Sequence, residues 1–81
     1  MDDYLLDFLE ACYSALENRE LFEIRSFTRG KPEEAYHAVE YARNLGYVLL
    51  KPYGHERDLY LDKMSPEAVR LVLDRRREQW D

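Results

Sequence analysis

The chain has few of the features that mark secreted or membrane proteins. Its 81 residues include one cysteine, three glycines and three prolines, and its longest apolar run extends only from Tyr47 to Leu50. A bilayer-spanning helix needs about 20 apolar residues, so the sequence predicts no membrane span. The acidic start, Met1-Asp2-Asp3, lacks the basic region of a secretory signal. We therefore expect a cytoplasmic protein.

The single cysteine excludes an intramolecular disulfide, and its neighbours predict a buried side chain. Cys12 lies between Leu9 and Leu16 on an apolar helical pattern, which favours a small hydrophobic role. Cys12, His37 and His55 are all good zinc ligands, but their separations match no zinc-binding pattern. The chain also lacks a Gly-rich phosphate loop and a nucleophile motif. We expect no metal, no cofactor and no enzymatic activity.

The remaining composition is that of a compact globule with an uneven charge. Hydrophobic residues make up 46% and charged residues 36%, and the length fits a single domain over residues 1–81. The net charge is −5, but residues 1–40 hold a net of −6 and residues 41–81 a net of +1. Because nonspecific DNA affinity comes from Lys and Arg, only the C-terminal half suits contact with a duplex.

The apolar spacing predicts three main helices. Residues 3–18 place Leu5, Phe8, Leu9, Cys12 and Leu16 on one helical face. A second helix begins at Pro32, carries the stripe Ala35, Ala38, Val39, Ala42 and Leu45, and ends at Gly46, which suits a left-handed cap. Ser65-Pro66-Glu67 supplies a cap, a helix-starting proline and a first-turn acid, which open a last helix through about Gln79.

A β-hairpin separates the second and last helices, and one segment stays ambiguous. Residues 47–51 and 58–62 favour strands, with a Gly-containing loop between them. Residues 20–27 match both strand alternation and helical spacing, and we favour a short strand at about 21–26. The sequence therefore predicts an α+β fold with three main helices, a hairpin in its C-terminal half and a third short strand.

The order of these elements resembles the small winged helix-turn-helix proteins of bacteria and their phages. The residues that carry most of the resemblance are those of segment 34–48, where a helix runs into Leu45-Gly46-Tyr47-Val48 and then the first hairpin strand. The resemblance implies a winged-helix-like fold in which the second predicted helix is the recognition helix and the hairpin is the wing. Fold resemblance does not by itself assign an activity.

In DNA-binding relatives the exposed helix face reads the major groove and a basic wing touches the backbone. The resemblance places these roles on Tyr36, His37, Glu40, Tyr41, Arg43 and Asn44 in the helix, and on Lys51, His55 and Arg57 in the wing. This chain departs from that pattern, because residues 32–45 carry a net charge of −2 and residues 51–58 a net of zero. Acids facing phosphates are repelled, so DNA docking is disfavoured.

These observations favour a regulatory or interaction module that binds a protein through the acidic, tyrosine-rich helix face and the wing. One form of this hypothesis is a protein that mimics DNA toward a nucleic-acid-binding enzyme. Tyrosine suits such surfaces because its ring is apolar while its hydroxyl is polar. The candidate partner-binding residues are Glu33, Tyr36, His37, Glu40, Tyr41, Arg43, Asn44, Tyr53, His55 and Arg57.

Two alternatives remain open at this stage. In the first alternative, the chain is a homodimeric transcription regulator that is paired through helix one or the C-terminal helix. Its DNA contacts would come from Arg29, Lys31, Arg43, Lys51 and Arg57. In the second alternative, the chain is a structural subunit of a larger assembly. The basic run Arg75-Arg76-Arg77 is interpreted as a solvated helix end with local pairing to Asp74 and Glu78 rather than as a phosphate site.

Overall fold

The computed structural model of the protein describes the backbone of residues 3–53 and 58–80 and all of their side chains except that of Trp80. It contains four helices and a two-stranded antiparallel sheet, so the predicted α+β class is confirmed and the layout is compatible with a winged helix. The elements in chain order are α1 (Asp3–Glu17), α2 (Ile24–Thr28), α3 (Glu33–Asn44), β1 (Val48–Pro52), β2 (Leu59–Met64) and α4 (Pro66–Trp80).

The helix boundaries follow the capping residues in the sequence. The Ser65 hydroxyl accepts a hydrogen bond from the Ala68 backbone N–H at 3.1 Å, as an N-cap does. At the end of α3, Gly46 adopts a φ of 78°, and the Tyr47 N–H donates to the Ala42 carbonyl at 2.9 Å. Both predicted boundaries are therefore confirmed.

The strand that the sequence favoured at residues 21–26 is largely wrong. Residues Ile24–Thr28 form the short helix α2, and only Glu23 makes a β-bridge, to Tyr60 of β2. Ile24 and Phe27 are both buried, and a helical turn puts these two residues on the same side. In a strand they would point to opposite faces. Burial of both side chains thus selects the helix over the strand.

The hairpin has β1 at its outer edge. Val48 lies opposite Met64, Leu50 opposite Leu61, and the register shifts between Leu49 and Leu50. On the other side of β2, the Leu61 N–H donates to the Phe22 carbonyl at 3.0 Å. β2 therefore lies between β1 on one side and the segment of Phe22 and Glu23 on the other.

The core forms where α1 meets α2, α3, α4 and the hairpin. Phe8 is fully buried at its centre, with ring centroids 5.3 Å from Phe27 and 6.2 Å from Phe22. Cys12 is buried as predicted, and burial raises the pKa of its thiol. The other buried apolar residues of this cluster are Leu5, Leu9, Ile24, Ala35, Ala38, Val39, Ala42, Val48, Leu61, Ala68 and Val72.

Two leucines assigned to apolar stripes are exposed instead. Leu16 lies in the last turn of α1 and is 39% exposed, and Leu45 follows α3 and is 49% exposed. Ala15 is buried in place of Leu16. A helical pattern therefore identifies the inward side of a helix but does not decide which residue of its last turn is buried.

The ends of α1 and α3 have the same backbone turn, with Arg19 at the left-handed position in one and Gly46 in the other. Arg19 has a φ of 55° after α1, and the Glu20 N–H donates to the Ala15 carbonyl at 2.9 Å, as in the Gly46 turn. We expect Arg19→Gly to raise the free energy of unfolding by up to about 1 kcal/mol, because an L-residue is strained there. We expect Gly46→Ala to lower it by about 1 kcal/mol.

Urea unfolding of the two variants and the native chain measures both changes. No heavy atom lies within 4 Å of an added Cβ at Gly46, so its cost reflects the backbone alone. A destabilised Arg19→Gly variant would contradict the assignment of strain to Arg19.

Candidate functional site

The outward side of α3 is a continuous polar and aromatic surface, which we call the α3 face. Small residues occupy the opposite side of the helix, where Ala35, Ala38 and Ala42 are buried and let α3 pack closely on α1. The helix periodicity then turns the remaining side chains outward. The α3 face consists of Glu33, Glu34, Tyr36, His37, Glu40, Tyr41, Arg43 and Asn44, all of them exposed.

The only permanently charged cation of the α3 face is paired within it. The Arg43 guanidinium lies 3.3 Å from the Glu40 carboxylate, one turn earlier. His37 Nε2 lies 3.5 Å from a Glu33 carboxylate oxygen. Glu34 has no ion-pair partner among the residues that the structure describes. The α3 face therefore presents net negative charge to an approaching molecule.

Two tyrosines add apolar area to this acidic surface. Tyr36 is 49% exposed and Tyr41 is 51% exposed. Tyr41 also lies near half-buried Tyr47, whose pKa is raised by burial and, secondarily, by the charges of Glu67 and Tyr41.

The hairpin contributes one further tyrosine from the predicted site. The Tyr53 and Tyr60 rings lie with centroids 5.5 Å apart at an angle of 53°, which holds Tyr53 against β2 while it stays half exposed. Lys51 lies 3.2 Å from the Asp62 carboxylate. The predicted site residues His55 and Arg57 lie outside the described residues.

Several cations proposed for DNA contact already interact with other groups of the chain. Lys31 donates to the Phe27 carbonyl, and its ammonium lies 4.1 Å from the centroid of the Phe27 ring. Arg25, which is not among the predicted contact residues, lies 3.0 Å from Asp58, and this hydrogen bond raises the pKa of its guanidinium. Arg29 is exposed and has no ion-pair partner within the described part of the chain.

Two residues of the arginine run near the C-terminus form ion pairs with α1, so the predicted local pairing is wrong for Arg75 and Arg76. Arg75 lies 2.8 Å from Asp7 of α1. Arg76 lies 3.0 Å from Glu10 and 3.2 Å from Glu17, and hydrogen bonds to both raise the pKa of its guanidinium.

The long arginine side chains reach α1 because α4 packs beside it. The Arg76 guanidinium also lies 5.0 Å from the centroid of the Tyr13 ring, which adds a cation–π contact. Spacing along one helix could not reveal these pairs, since both partners lie far apart in the sequence. Arg77 alone of the three stays exposed without an ion-pair partner among the described residues.

The described residues offer no metal-binding group and no helix long and apolar enough to span a membrane. No three His, Cys, Asp or Glu side chains in that part of the chain come together as metal ligands would. The helices that it contains are also too short or too polar to cross a bilayer. The α3 face and the hairpin present exposed carboxylates and tyrosines.

Comparison of the chain with protein-family models, with curated proteins and with solved structures gave no match.

Sequence reasoning also missed the exposure of an apolar residue on β1. Leu49 belongs to the Tyr47–Leu50 run, which is the most apolar stretch of the chain, yet it is 52% exposed on β1. Strand alternation could have indicated it, because Val48 and Leu50 point to the opposite face from Leu49.

Proposed function

We propose that the chain is a non-enzymatic, winged-helix-like interaction module that binds a protein partner through the α3 face and the hairpin. The observation that carries the proposal is the acidic, tyrosine-bearing α3 face whose one arginine is neutralised by Glu40. We also propose a cytoplasmic location, because the only cysteine is a buried thiol rather than part of a disulfide.

Electrostatics favour a protein over a nucleic acid at this surface. A duplex presents a phosphate for roughly every 1.7 Å of its axis, so each exposed glutamate on a docking helix meets repulsion. Glu33 and Glu40 are more than half exposed, and their local partners His37 and Arg43 lie on the same helix. A protein partner with Lys or Arg at its surface instead gains attraction and faster association.

The tyrosines supply the apolar contact that such binding needs. Aromatic residues dominate the energetics of protein interfaces because they bury a large area at low entropic cost. Tyr36 and Tyr41 are each half exposed, so each has area left to bury. A basic partner that covers both rings places its cations over Glu33 and Glu40. A DNA-binding protein, which presents such a basic surface, is one form of this partner.

Site-specific photo-crosslinking tests the proposal. A benzophenone amino acid at position 36 or 41 in the expressed chain is expected to capture one discrete protein in cells of the source organism. The matched control places the same amino acid at Arg77, which is exposed on α4, away from the α3 face. Capture from position 77 as readily as from positions 36 and 41, or capture of nucleic acid alone, would contradict the proposal.

A DNA-binding homodimer is the second candidate. Exposed Arg29 favours it, because this residue precedes α3 and has no acidic partner among the described residues. Two copies double the number of phosphate contacts and so raise the affinity of a weakly basic surface. The alternative of a structural subunit has one supporting observation, which is that Leu16 and Leu21 are exposed near the end of α1.

A further inference from the structure

The outward residues of α3 form two sides that differ in how their charges are paired. At about 3.6 residues per turn, Glu34, Tyr41 and Leu45 lie within about 40° of one another around the helix axis. Leu45 follows α3 but keeps helical backbone angles, so it extends this row by one turn. We call these three residues the Tyr41 side.

The second side, which we call the Tyr36 side, consists of Tyr36, Glu40 and Arg43. Tyr36 and Tyr41 are about 140° apart around the axis, so they belong to different sides. The Glu40 carboxylate lies 3.3 Å from the Arg43 guanidinium, and the two charges cancel. A cation that approaches the Tyr36 side therefore meets the positive charge of Arg43 together with the negative charge of Glu40.

The Tyr41 side has both an unpaired charge and apolar area to bury. Glu34 is exposed and has no ion-pair partner in the described part of the chain. Tyr41 is 51% exposed and Leu45 is 49% exposed. These two residues are four positions apart, so their side chains are neighbours on the helix surface. The Tyr41 side thus combines an apolar pair with a carboxylate that attracts cations.

A second carboxylate without an ion-pair partner lies close to the end of this row. The Tyr47 carbonyl accepts from the Ser65 N–H at 2.9 Å, which brings the start of α4 beside the chain that leaves α3. Glu67 is exposed in the first turn of α4, and no described residue forms an ion pair with it. The electrostatic potential near Tyr47 is therefore negative as well.

We propose that the partner docks mainly on the Tyr41 side through an amphipathic basic segment, with an apolar side chain over Tyr41 and Leu45 and a Lys or Arg at Glu34. This inference rests on the proposed function and adds which side of α3 supplies most of the binding energy. A few anchor residues dominate most interfaces, and Tyr36 would then lie toward the rim. A second copy of this chain fits poorly, because two chains of net charge −5 repel each other.

An NMR titration with synthetic peptides tests the chemistry of this partner. The probe is a peptide of Leu and Lys alone, arranged so that a helix carries the leucines on one face. One control peptide has Ser in place of Leu, and the other has Glu in place of Lys. We expect the Leu–Lys peptide to shift the amide signals of Tyr41 and Leu45 and to bind more tightly than either control. Equal binding by either control would overturn the proposal.

Two matched pairs of variants test the side of α3. Tyr41→Ala should weaken binding of the Leu–Lys peptide at least about fivefold, and Tyr36→Ala less than about twofold, because only an anchor is costly to truncate. Glu34→Lys should weaken it more than Glu33→Lys, which makes the same charge change at a neighbouring exposed position whose carboxylate already pairs with His37. Equal losses within either pair would overturn the assignment to the Tyr41 side and leave the proposed function standing.

Leu45→Glu separates apolar contact from charge attraction by the sign of its effect. The variant adds an acid that attracts the lysines but removes apolar area, and we expect it to weaken binding of the Leu–Lys peptide. Leu73→Glu adds the same charge at an exposed position of α4 and should leave binding unchanged or slightly tighter. Tighter binding by Leu45→Glu would overturn the proposal. Peptide-induced shifts confined to residues outside the α3 face and Leu45 would instead contradict the proposed function.

Discussion

Phe8→Ala is expected to lower the free energy of unfolding by about 3–5 kcal/mol. Phe8 is fully buried, and its ring contacts those of Phe22 and Phe27, so the alanine leaves a cavity between α1 and α2. An 81-residue domain has a total stability of roughly 4–12 kcal/mol. The variant should therefore lose a large part of this stability, and its urea transition should shift to lower concentration.

Two substitutions serve as controls for this loss. Phe8→Leu keeps most of the buried volume and should cost clearly less than Phe8→Ala. Leu21→Ala removes apolar atoms from a side chain that is already mostly exposed, so its unfolding curve should nearly overlay that of the native chain. If Leu21→Ala lowered the free energy of unfolding as much as Phe8→Ala, the assignment of Phe8 to the core and Leu21 to the surface would be wrong.

Reversing three charges of the α3 face is expected to create DNA binding, whereas we expect none from the native chain. The combined variant Glu33→Lys, Glu34→Lys and Glu40→Lys changes the net charge of residues 32–45 from −2 to +4, since each substitution adds two units. It also frees Arg43 from Glu40. We expect nonspecific duplex binding with a dissociation constant of about 10⁻⁴ to 10⁻⁶ M at physiological salt, and tighter at lower salt.

A variant with the same net charge separates the local effect from the global one. Asp3, Glu20 and Asp74 are exposed and lie on α1, just after α1 and on α4, so their triple replacement by lysine adds the same six charges away from the α3 face. The control should bind DNA much more weakly than the α3 variant. Equal affinities in a fluorescence-anisotropy titration would show that total charge, and not the helix face, governs contact with DNA.

The sequence predicted the helical segments and the hairpin because local signals determine them. Pro32 and Gly46 bracket α3, and Ser65 caps α4, and the structure places each of them at the predicted boundary. The segment around Ile24 and Phe27 could not be decided locally. Its pattern fitted a strand and a helix alike, and packing of both side chains into the core selected the helix.

The ion-pair partners of side chains were harder to predict from the sequence than the helices and strands. Arg75 and Arg76 have acids beside them in the sequence, but the structure pairs them with Asp7 and Glu10 on α1. Such pairs depend on how two helices pack, which no spacing rule within one helix reveals. The residues of the candidate site on α3 could be chosen because helical periodicity assigns the side opposite a small-residue stripe to the surface. What that surface binds stays a prediction.

The most direct test of a protein-binding rather than DNA-binding α3 face is a titration of the native chain against random duplex DNA at about 50 mM and about 200 mM salt, with light scattering in the same buffers. The proposed function predicts no binding even at the lower salt, where attraction between opposite charges is least screened. Binding by a dimer that weakens steeply as salt rises would contradict it and favour the DNA-binding regulator.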